Sequence, residues 1–154
     1  MANGFKALRH VGGGNQRYSE YEIAVDAADI FNGDMVILTA GEIVIGATNE
    51  AHVGTFVGCM FVNAQGEQKF SPYWTASPGA TEIKGLVNED KGVSYNVVDT
   101  SGALTVGALC DLDYTAGSPK TGQSAAGVGA STNGDFQVLS IVDADNDRVE
   151  IKIV

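Results

Sequence analysis

The chain has 154 residues, of which 44% are hydrophobic, 18% are charged and 20 are glycine. This length and apolar content suit one domain with its own core, and they exclude a disordered, collagen-like or membrane-spanning chain. The formal net charge of −10 opposes binding to nucleic acid or to an anionic membrane surface.

The first nineteen residues differ in charge from the rest of the chain. Residues 1–19 contain Lys6, Arg9 and Arg17 and no acidic residue, whereas residues 20–154 contain all nineteen acidic residues. This division predicts an N-terminal arm followed by a folded domain of residues 20–154. Two interpretations of the arm remain open: a basic segment that docks on an acidic partner, or a frayed terminus with three solvated cations.

Two further features concern the beginning of the chain. The triple glycine Gly12-Gly13-Gly14 predicts a hinge, because no P-loop lysine follows it to complete a phosphate cradle. The first residues lack the apolar run of a secretory signal peptide, so we expect a protein that is made and kept in a reducing cytosol.

The remaining chain alternates short apolar, β-branched runs with turns of glycine, asparagine and aspartate. This spacing predicts an all-β fold, a single compact β-barrel or β-sandwich with an extended N-terminal arm. Strands are predicted within residues 18–25, 35–38, 43–45, 52–62, 82–87, 94–98, 104–112, 136–142 and 148–154. Residues 116–134 are poor in large side chains and predict a long surface loop. No internal repeat is evident in the sequence.

The two cysteines, Cys59 and Cys110, lie far apart, each within an apolar run. Because neither has a second cysteine or a histidine beside it at zinc-finger spacing, we predict buried, reduced thiols without a metal. A disulfide between the two is the alternative.

The acidic segment Asp143-Ala144-Asp145-Asn146-Asp147 places oxygen ligands at alternate positions, as a calcium loop does. Arg148 stands at the sixth position, where such a loop needs glycine, and Val154 stands at the twelfth, where it needs glutamate. The segment therefore predicts a solvated turn, with weak cation binding as the alternative.

Catalytic motifs are missing from the sequence. The two histidines, His10 and His52, lie in different settings, no serine lies in a G-x-S-x-G motif, and neither cysteine has a base close by in the sequence. We therefore predict that the protein is not an enzyme and needs neither a metal nor a cofactor.

Phe70, Tyr73 and Trp74 form the densest aromatic group, and Pro72 between them excludes a regular central strand. The group predicts either a core plug at one end of the barrel or an interface anchor, since tyrosine and tryptophan dominate binding hot spots. Both hold if Phe70 points inward and Tyr73 or Trp74 points outward.

Four segments together resemble a known family: Gly4–His10, Phe31–Val36, Gly54–Gly58 with Phe70–Trp74, and Phe136–Asn146. In that family, the first segment corresponds to an aromatic and basic N-terminal start, and the second to a "GD-x-V" motif that enters a strand. The third corresponds to a central "G-x-F-x-G" motif followed by "Y-W", and the fourth to a C-terminal ending with aspartate and asparagine. The family is that of the small head decoration (cement) proteins of tailed double-stranded DNA bacteriophages, especially the marine podovirus type. One departure is Asn88-Glu89-Asp90-Lys91, where the family has an Asp-Asp-Pro turn.

The resemblance implies a structural protein of the virion that binds the major capsid protein on the capsid exterior. It further implies a homo-oligomer, with a trimer favoured, that is assembled in the host bacterial cytoplasm and has neither a nucleic acid nor a membrane as partner. The residues expected to bind the capsid are Phe5, Lys6, Leu8, Arg9, His10, Arg17, Tyr73 and Trp74. In this view Phe5 and Leu8 supply most of the docking energy, and deletion of residues 2–14 leaves the barrel folded.

Two other classes of protein remain open. In the first, the chain is a carbohydrate- or host-binding β-barrel module of a virion fibre or knob, with Tyr73 and Trp74 as the sugar platform. In the second, it is a small jelly-roll enzyme, which the scarcity of histidine disfavours.

Overall fold

The computed structural model describes residues 4–11, 17–46, 51–89, 91–113 and 127–154. Within these residues the chain forms β-strands and no helix, which confirms the all-β class, and no described helix could therefore cross a membrane. The strands are β1 (Lys6–His10), β2 (Tyr18–Glu22), β3 (Ile30–Phe31), β4 (Met35–Thr39), β5 (Glu42–Ile45), β6 (His52–Val62), β7 (Gln68–Ser71), β8 (Tyr73–Trp74), β9 (Thr81–Asn88), β10 (Val93–Val98), β11 (Leu109–Asp113), β12 (Gly127–Ala130), β13 (Phe136–Asp143) and β14 (Arg148–Ile153).

Five strands of the first half close into a barrel, which confirms the predicted β-barrel. The sheet order is β4-β5-β2-β9-β6, and β6 pairs again with β4. The first residues of β6 pair with β4, and its last residues pair with β7, which extends the sheet. We call the five strands β2, β4, β5, β6 and β9 the first barrel. Its core includes Ile30, Val36, Ile43, Phe56 and Trp74.

The second half forms another curled sheet, which we call the second barrel (β10 to β14). Its order is β10-β14-β13-β11-β12, and β1 lies on the free edge of β10. The far end of the sheet returns to its start, because Asp99 after β10 forms a parallel bridge with Val128 in β12. In addition, the amide of Thr100 donates to the Val128 carbonyl over 2.9 Å.

The two barrels share one topology. In sequence order, the strands β2, β4, β5, β6 and β9 correspond to β10, β11, β12, β13 and β14. In both barrels, the second of these five strands pairs with the third and with the fourth. The fifth strand pairs with the first and with the fourth, and the third strand runs parallel to the first. The described part of the chain therefore contains two copies of one five-stranded topology.

The backbone hydrogen bonds at one turn support this correspondence. Gly33 donates to the Phe56 carbonyl over 2.9 Å, and Gly107 donates to the Val138 carbonyl over 2.9 Å. Both glycines adopt a positive φ, 91° and 87°, two residues before the strand begins. A bulge follows in β6 after Phe56 and in β13 after Val138. Glycine is needed at both turns because a positive φ is strained for other residues.

The prediction of an extended arm is wrong for the described part of residues 1–19. Residues 6–10 form β1, which pairs antiparallel with β10. Phe5 is 3% exposed, and its ring lies 6.1 Å from that of Tyr95 and 5.5 Å from that of Phe136. The apolar ring is thus a core residue of the second barrel, so the proposed boundary at residue 19 does not separate an arm from the domain. The predicted hinge of residues 12–14 lies outside the described residues.

The long predicted loop also needs a correction. Residues 127–130 form β12, which pairs with β11, although the sequence Gly-Val-Gly-Ala lacks large side chains. Among the four residues of β12, only Val128 places a large apolar side chain in the core of the second barrel. Residues 116–126 of the predicted loop lie outside the described residues.

Candidate functional site

The cations predicted to dock on a partner lie on or next to β-strands. On β1, Lys6 and Leu8 are exposed, whereas His10 is half-buried opposite Val93. Arg9 is committed to the fold, because its Nε donates to Oε1 of Glu150 in β14 over 2.8 Å. β1 is therefore fastened to the second barrel by an ion pair as well as by its backbone.

Glu150 is 5% exposed and accepts hydrogen bonds from Arg9 and from the Ser140 hydroxyl, the latter over 2.8 Å. The hydrogen bond from Arg9, supported by Ser94 and Ser140, lowers the pKa of Glu150 from its usual 4.5 to about 2, against the opposing effect of burial. The folded state therefore holds Glu150 ionised at pH values where the unfolded chain would protonate it.

We expect Arg9→Met to move acid unfolding to a higher pH. Because the folded pKa of Glu150 lies below the unfolded value, its contribution to stability is present above about pH 4.5 and is lost as the pH falls toward 2. Without the guanidinium the folded pKa rises and this contribution shrinks. Equilibrium unfolding between pH 2 and pH 7 measures the shift. Lys6→Met, an exposed change on the same strand, is the control, and an equal shift there would contradict the role of the ion pair.

Arg17 lies beside Glu89 at the end of β9, with 3.5 Å between Arg17 Nε and Glu89 Oε1. Glu89 also accepts hydrogen bonds from the hydroxyls of Ser19 and Tyr21, and these lower its pKa. The Arg17 side chain is 72% exposed, so this cation remains accessible to a partner.

The orientation of the aromatic group differs from the prediction at Phe70 and agrees with it at Tyr73, which is exposed. Trp74 is fully buried and packs edge-on against Phe61, with 5.3 Å between ring centroids. Phe70 is 73% exposed, whereas Tyr73 is 39% exposed. The prediction that Phe70 points inward is therefore wrong, and Trp74 cannot bind a capsid or form a sugar platform with Tyr73.

Phe70 belongs to a surface groove on the first barrel, which we call the apolar groove. It has a volume of about 470 Å³ and lies over β6, β7 and β9. Its walls are mainly the apolar side chains of Val57, Met60, Phe70, Pro72 and Leu86. Phe70, Pro72 and Leu86 are exposed, and Val57 and Met60 are half-buried. The charged residues Glu20 and Lys84 also line the groove.

A second constellation lies where the two barrels meet, and we call it the His–Asp cluster. It consists of His52, Asp111 and Asp135, whose potential ligand atoms all lie within 4.8 Å of one another. His52 stacks on Phe136 of the second barrel, with 5.5 Å between ring centroids. Sequence reasoning missed the cluster because its members lie 24 to 83 residues apart and no local motif links them.

Both cysteines are buried and free of a disulfide, which confirms the prediction that they are buried thiols. Cys59 lies in the core of the first barrel and Cys110 in that of the second, so they do not form the alternative disulfide. Burial raises the pKa of Cys59 to about 11, and burial with the nearby Asp99 and Asp111 raises that of Cys110 to about 12. Both thiols are therefore protonated and weakly nucleophilic at neutral pH.

The acidic segment forms the turn between β13 and β14, as predicted. Asp143 accepts hydrogen bonds from the amides of Asp145 and Asn146 and from the Asn146 side chain. These bonds lower the pKa of Asp143 and account for the acidic composition of the turn. Weak cation binding at this turn stays the untested alternative.

Comparison of the chain with protein-family models, with curated proteins and with solved structures found no match.

Proposed function

We propose that the protein is a non-enzymatic structural protein that binds the outside of a phage capsid and stabilises the head. The observation that carries the proposal is the apolar groove, with Phe70 73% exposed at its edge. The four sequence segments that resemble head decoration proteins support the same function. The partners are the major capsid protein and further copies of this chain, in a virion assembled in the host cytoplasm.

The groove has the character of a binding surface. Large apolar side chains that line one concavity mark interaction sites more often than isolated exposed residues do. Burial of a phenylalanine side chain contributes about 1.5–3 kcal/mol, and several copies bound to one shell would add avidity. We therefore expect Phe70 to anchor the contact with the capsid.

The strand that carries Phe70 offers a second kind of contact. β7 is the last strand in its sheet order, paired with β6 on one side only among the described residues. An edge strand presents backbone donors and acceptors that an extended segment of a partner can pair with. A capsid segment that adds to β7 would place its own apolar side chains next to the groove.

β1 supplies a smaller contact in this proposal. Leu8 is 46% exposed on this strand, close to the exposed cation Lys6. Exposed cations mainly accelerate encounter with an acidic surface, because surface ion pairs contribute only about 0–1 kcal/mol each. Phe5 no longer belongs to the docking surface, since it is buried in the core.

The test measures occupancy of the protein on expanded capsids of the phage that encodes it. We expect saturable binding, and we expect Phe70→Ala to raise Kd about 10–100-fold, the equivalent of about 1.5–3 kcal/mol. Val106→Ala is the matched control, because Val106 is 64% exposed outside the groove. Melting curves of both variants should match that of the unmodified protein.

Two outcomes would contradict the proposal. The first is failure of the unmodified protein to bind capsids at any stage of expansion. The second is binding to glycans with an affinity that Phe70→Ala abolishes, which would make the groove a sugar site of a host-binding module.

A further inference from the structure

We propose that His52, Asp111 and Asp135 bind a zinc ion at the junction of the two barrels. This site goes beyond the proposed capsid function and does not depend on it. It also replaces the expectation from sequence that the protein holds no metal.

The fold brings the three side chains together from both barrels. His52 is the first residue of β6 in the first barrel, where it pairs with Ile37 of β4. Asp111 lies in β11 of the second barrel, and Asp135 immediately precedes β13. Cys110 pairs with Phe136 at the end of an antiparallel ladder, and Asp111 and Asp135 are the residues next to this pair, with potential ligand atoms within 4.8 Å of each other.

The distance between His52 and Asp135 fits two ligands of one metal ion as well as an ion pair. His52 Nδ1 lies 3.4 Å from Asp135 Oδ2. A hydrogen bond between a ring nitrogen and a carboxylate is usually about 2.7–3.2 Å long. Two ligand atoms that are each about 2.1 Å from a tetrahedral zinc ion lie about 3.4 Å apart. The separation between His52 and Asp135 therefore equals that of two zinc ligands, and the potential ligand atom of Asp111 lies within 4.8 Å of both.

The charges of the cluster also favour a divalent cation. Two carboxylates converge on one imidazole, and Asp111 is only 3% exposed. Asp111 accepts a hydrogen bond from the Leu112 amide over 2.7 Å, and a buried carboxylate needs a compensating positive charge as well as hydrogen bonds. One imidazole carries at most a single positive charge, whereas a zinc ion balances both carboxylates and leaves the imidazole neutral, which is its ligand form.

The surroundings hold the imidazole in place and leave a way in. The ring stacks on Phe136, and Gly46 makes room for it, because a Cβ at position 46 would lie 2.7 Å from Cδ2 of His52. The Asp135 side chain is 39% exposed, so an ion and a water as fourth ligand reach the cluster from solvent. A mixed nitrogen and oxygen ligand set selects zinc over calcium or magnesium, which prefer oxygen alone.

A zinc ion at this position would fasten the first barrel to the second. Any ligand that binds only the folded state raises its stability, and the gain grows with the free ligand concentration. The proposed role is therefore structural, an additional link between two units that also meet through side-chain packing and through the hydrogen bond from the Phe5 amide to the Gly33 carbonyl.

The test uses the full chain, freed of metal with a chelator and titrated with zinc chloride by calorimetry. We expect one zinc ion per chain with a micromolar or lower Kd, and a higher melting temperature that the chelator reverses. Asp135→Asn should weaken zinc binding by at least about tenfold. Asp145→Asn removes the same charge from the exposed turn after β13 and should leave zinc binding unchanged.

Three results would overturn the proposal. Absence of saturable zinc binding would show that His52 and the two aspartates form only an ion-pair cluster. An equal loss of affinity in Asp145→Asn would place the ion at the turn instead. Unchanged zinc affinity in Asp135→Asn, in a variant whose metal-free melting curve shows that it folds, would remove Asp135 from the site.

Discussion

Phe5→Ala is expected to lower the free energy of unfolding by about 3–5 kcal/mol. The ring is 3% exposed and packs against Tyr95 and Phe136 in the core of the second barrel. Its removal leaves a cavity. The backbone at this position cannot move inward to fill the cavity, because the Phe5 amide donates a hydrogen bond to the Gly33 carbonyl over 2.8 Å. Urea unfolding followed by tryptophan fluorescence and circular dichroism measures the loss.

Leu8→Ala is the matched control for this prediction. Leu8 lies on the same strand but is 46% exposed, so its truncation should cost less than about 1 kcal/mol. Equal effects of the two substitutions would contradict the core position of Phe5 and restore a separable N-terminal arm. By the same reasoning, deletion of residues 2–14 should destabilise the second barrel, contrary to the expectation from sequence.

Gly134→Ala is expected to destabilise the protein by about 3 kcal/mol or more, through overpacking against the backbone. A Cβ at this position would lie 2.0 Å from the carbonyl oxygen of Cys110 and 2.3 Å from its carbon. No rotamer change relieves this contact, because the atoms belong to the backbone of β11. The strand would have to move away from the chain that enters β13.

Gly129→Ala in β12 provides the comparison. A Cβ there would meet its nearest neighbour, Oγ1 of Thr100, at 3.4 Å, which is an ordinary contact. Alanine also restricts the unfolded chain, so this variant should have an unfolding free energy within about 1 kcal/mol of the unmodified protein. Similar unfolding midpoints for the two variants would contradict the close approach at Gly134.

The strands with a clear apolar pattern could be predicted from sequence. The segments 35–38, 43–45 and 149–153 lie within β4, β5 and β14, because β-branched side chains there fill the two cores. The pattern is local, so one sequence suffices to read it.

β1 and the core role of Phe5 had no such local signal. Lys6, Leu8 and Arg9 are exposed on an edge strand, so the segment resembles a solvated arm. The partner of Phe5 is Tyr95, ninety residues further along the chain, and only the paired sheet brings the two rings together. Long-range pairing of this kind leaves no mark in a short window of sequence.

The repeated topology was hidden in the sequence for a related reason. The repeated features are the strand order and the backbone hydrogen bonds, and many different combinations of side chains are compatible with both. Asp34 occupies the place of Ala108, and Phe56 occupies that of Val138; only Gly33 and Gly107 are the same residue at this turn. Both turns require a positive φ and have glycine there, whereas the neighbouring residues pack in two different cores and differ.

The candidate sites were predictable only in part. The aromatic segment Phe70–Trp74 was identified as important, but the pairing of β8 with β3 turns Trp74 inward and leaves Phe70 outside. The His–Asp cluster depends on the pairing of β11 with β13 and on the position of His52 at the start of β6, neither of which a sequence motif reports.

The most direct test of the proposed function is a cryo-electron microscopy reconstruction of expanded capsids saturated with the protein. We predict added density at symmetry-related positions on the outer surface of the shell, with β7 and the apolar groove against the major capsid protein. Capsids that show no added density, or bound protein whose Phe70 faces solvent, would contradict the account.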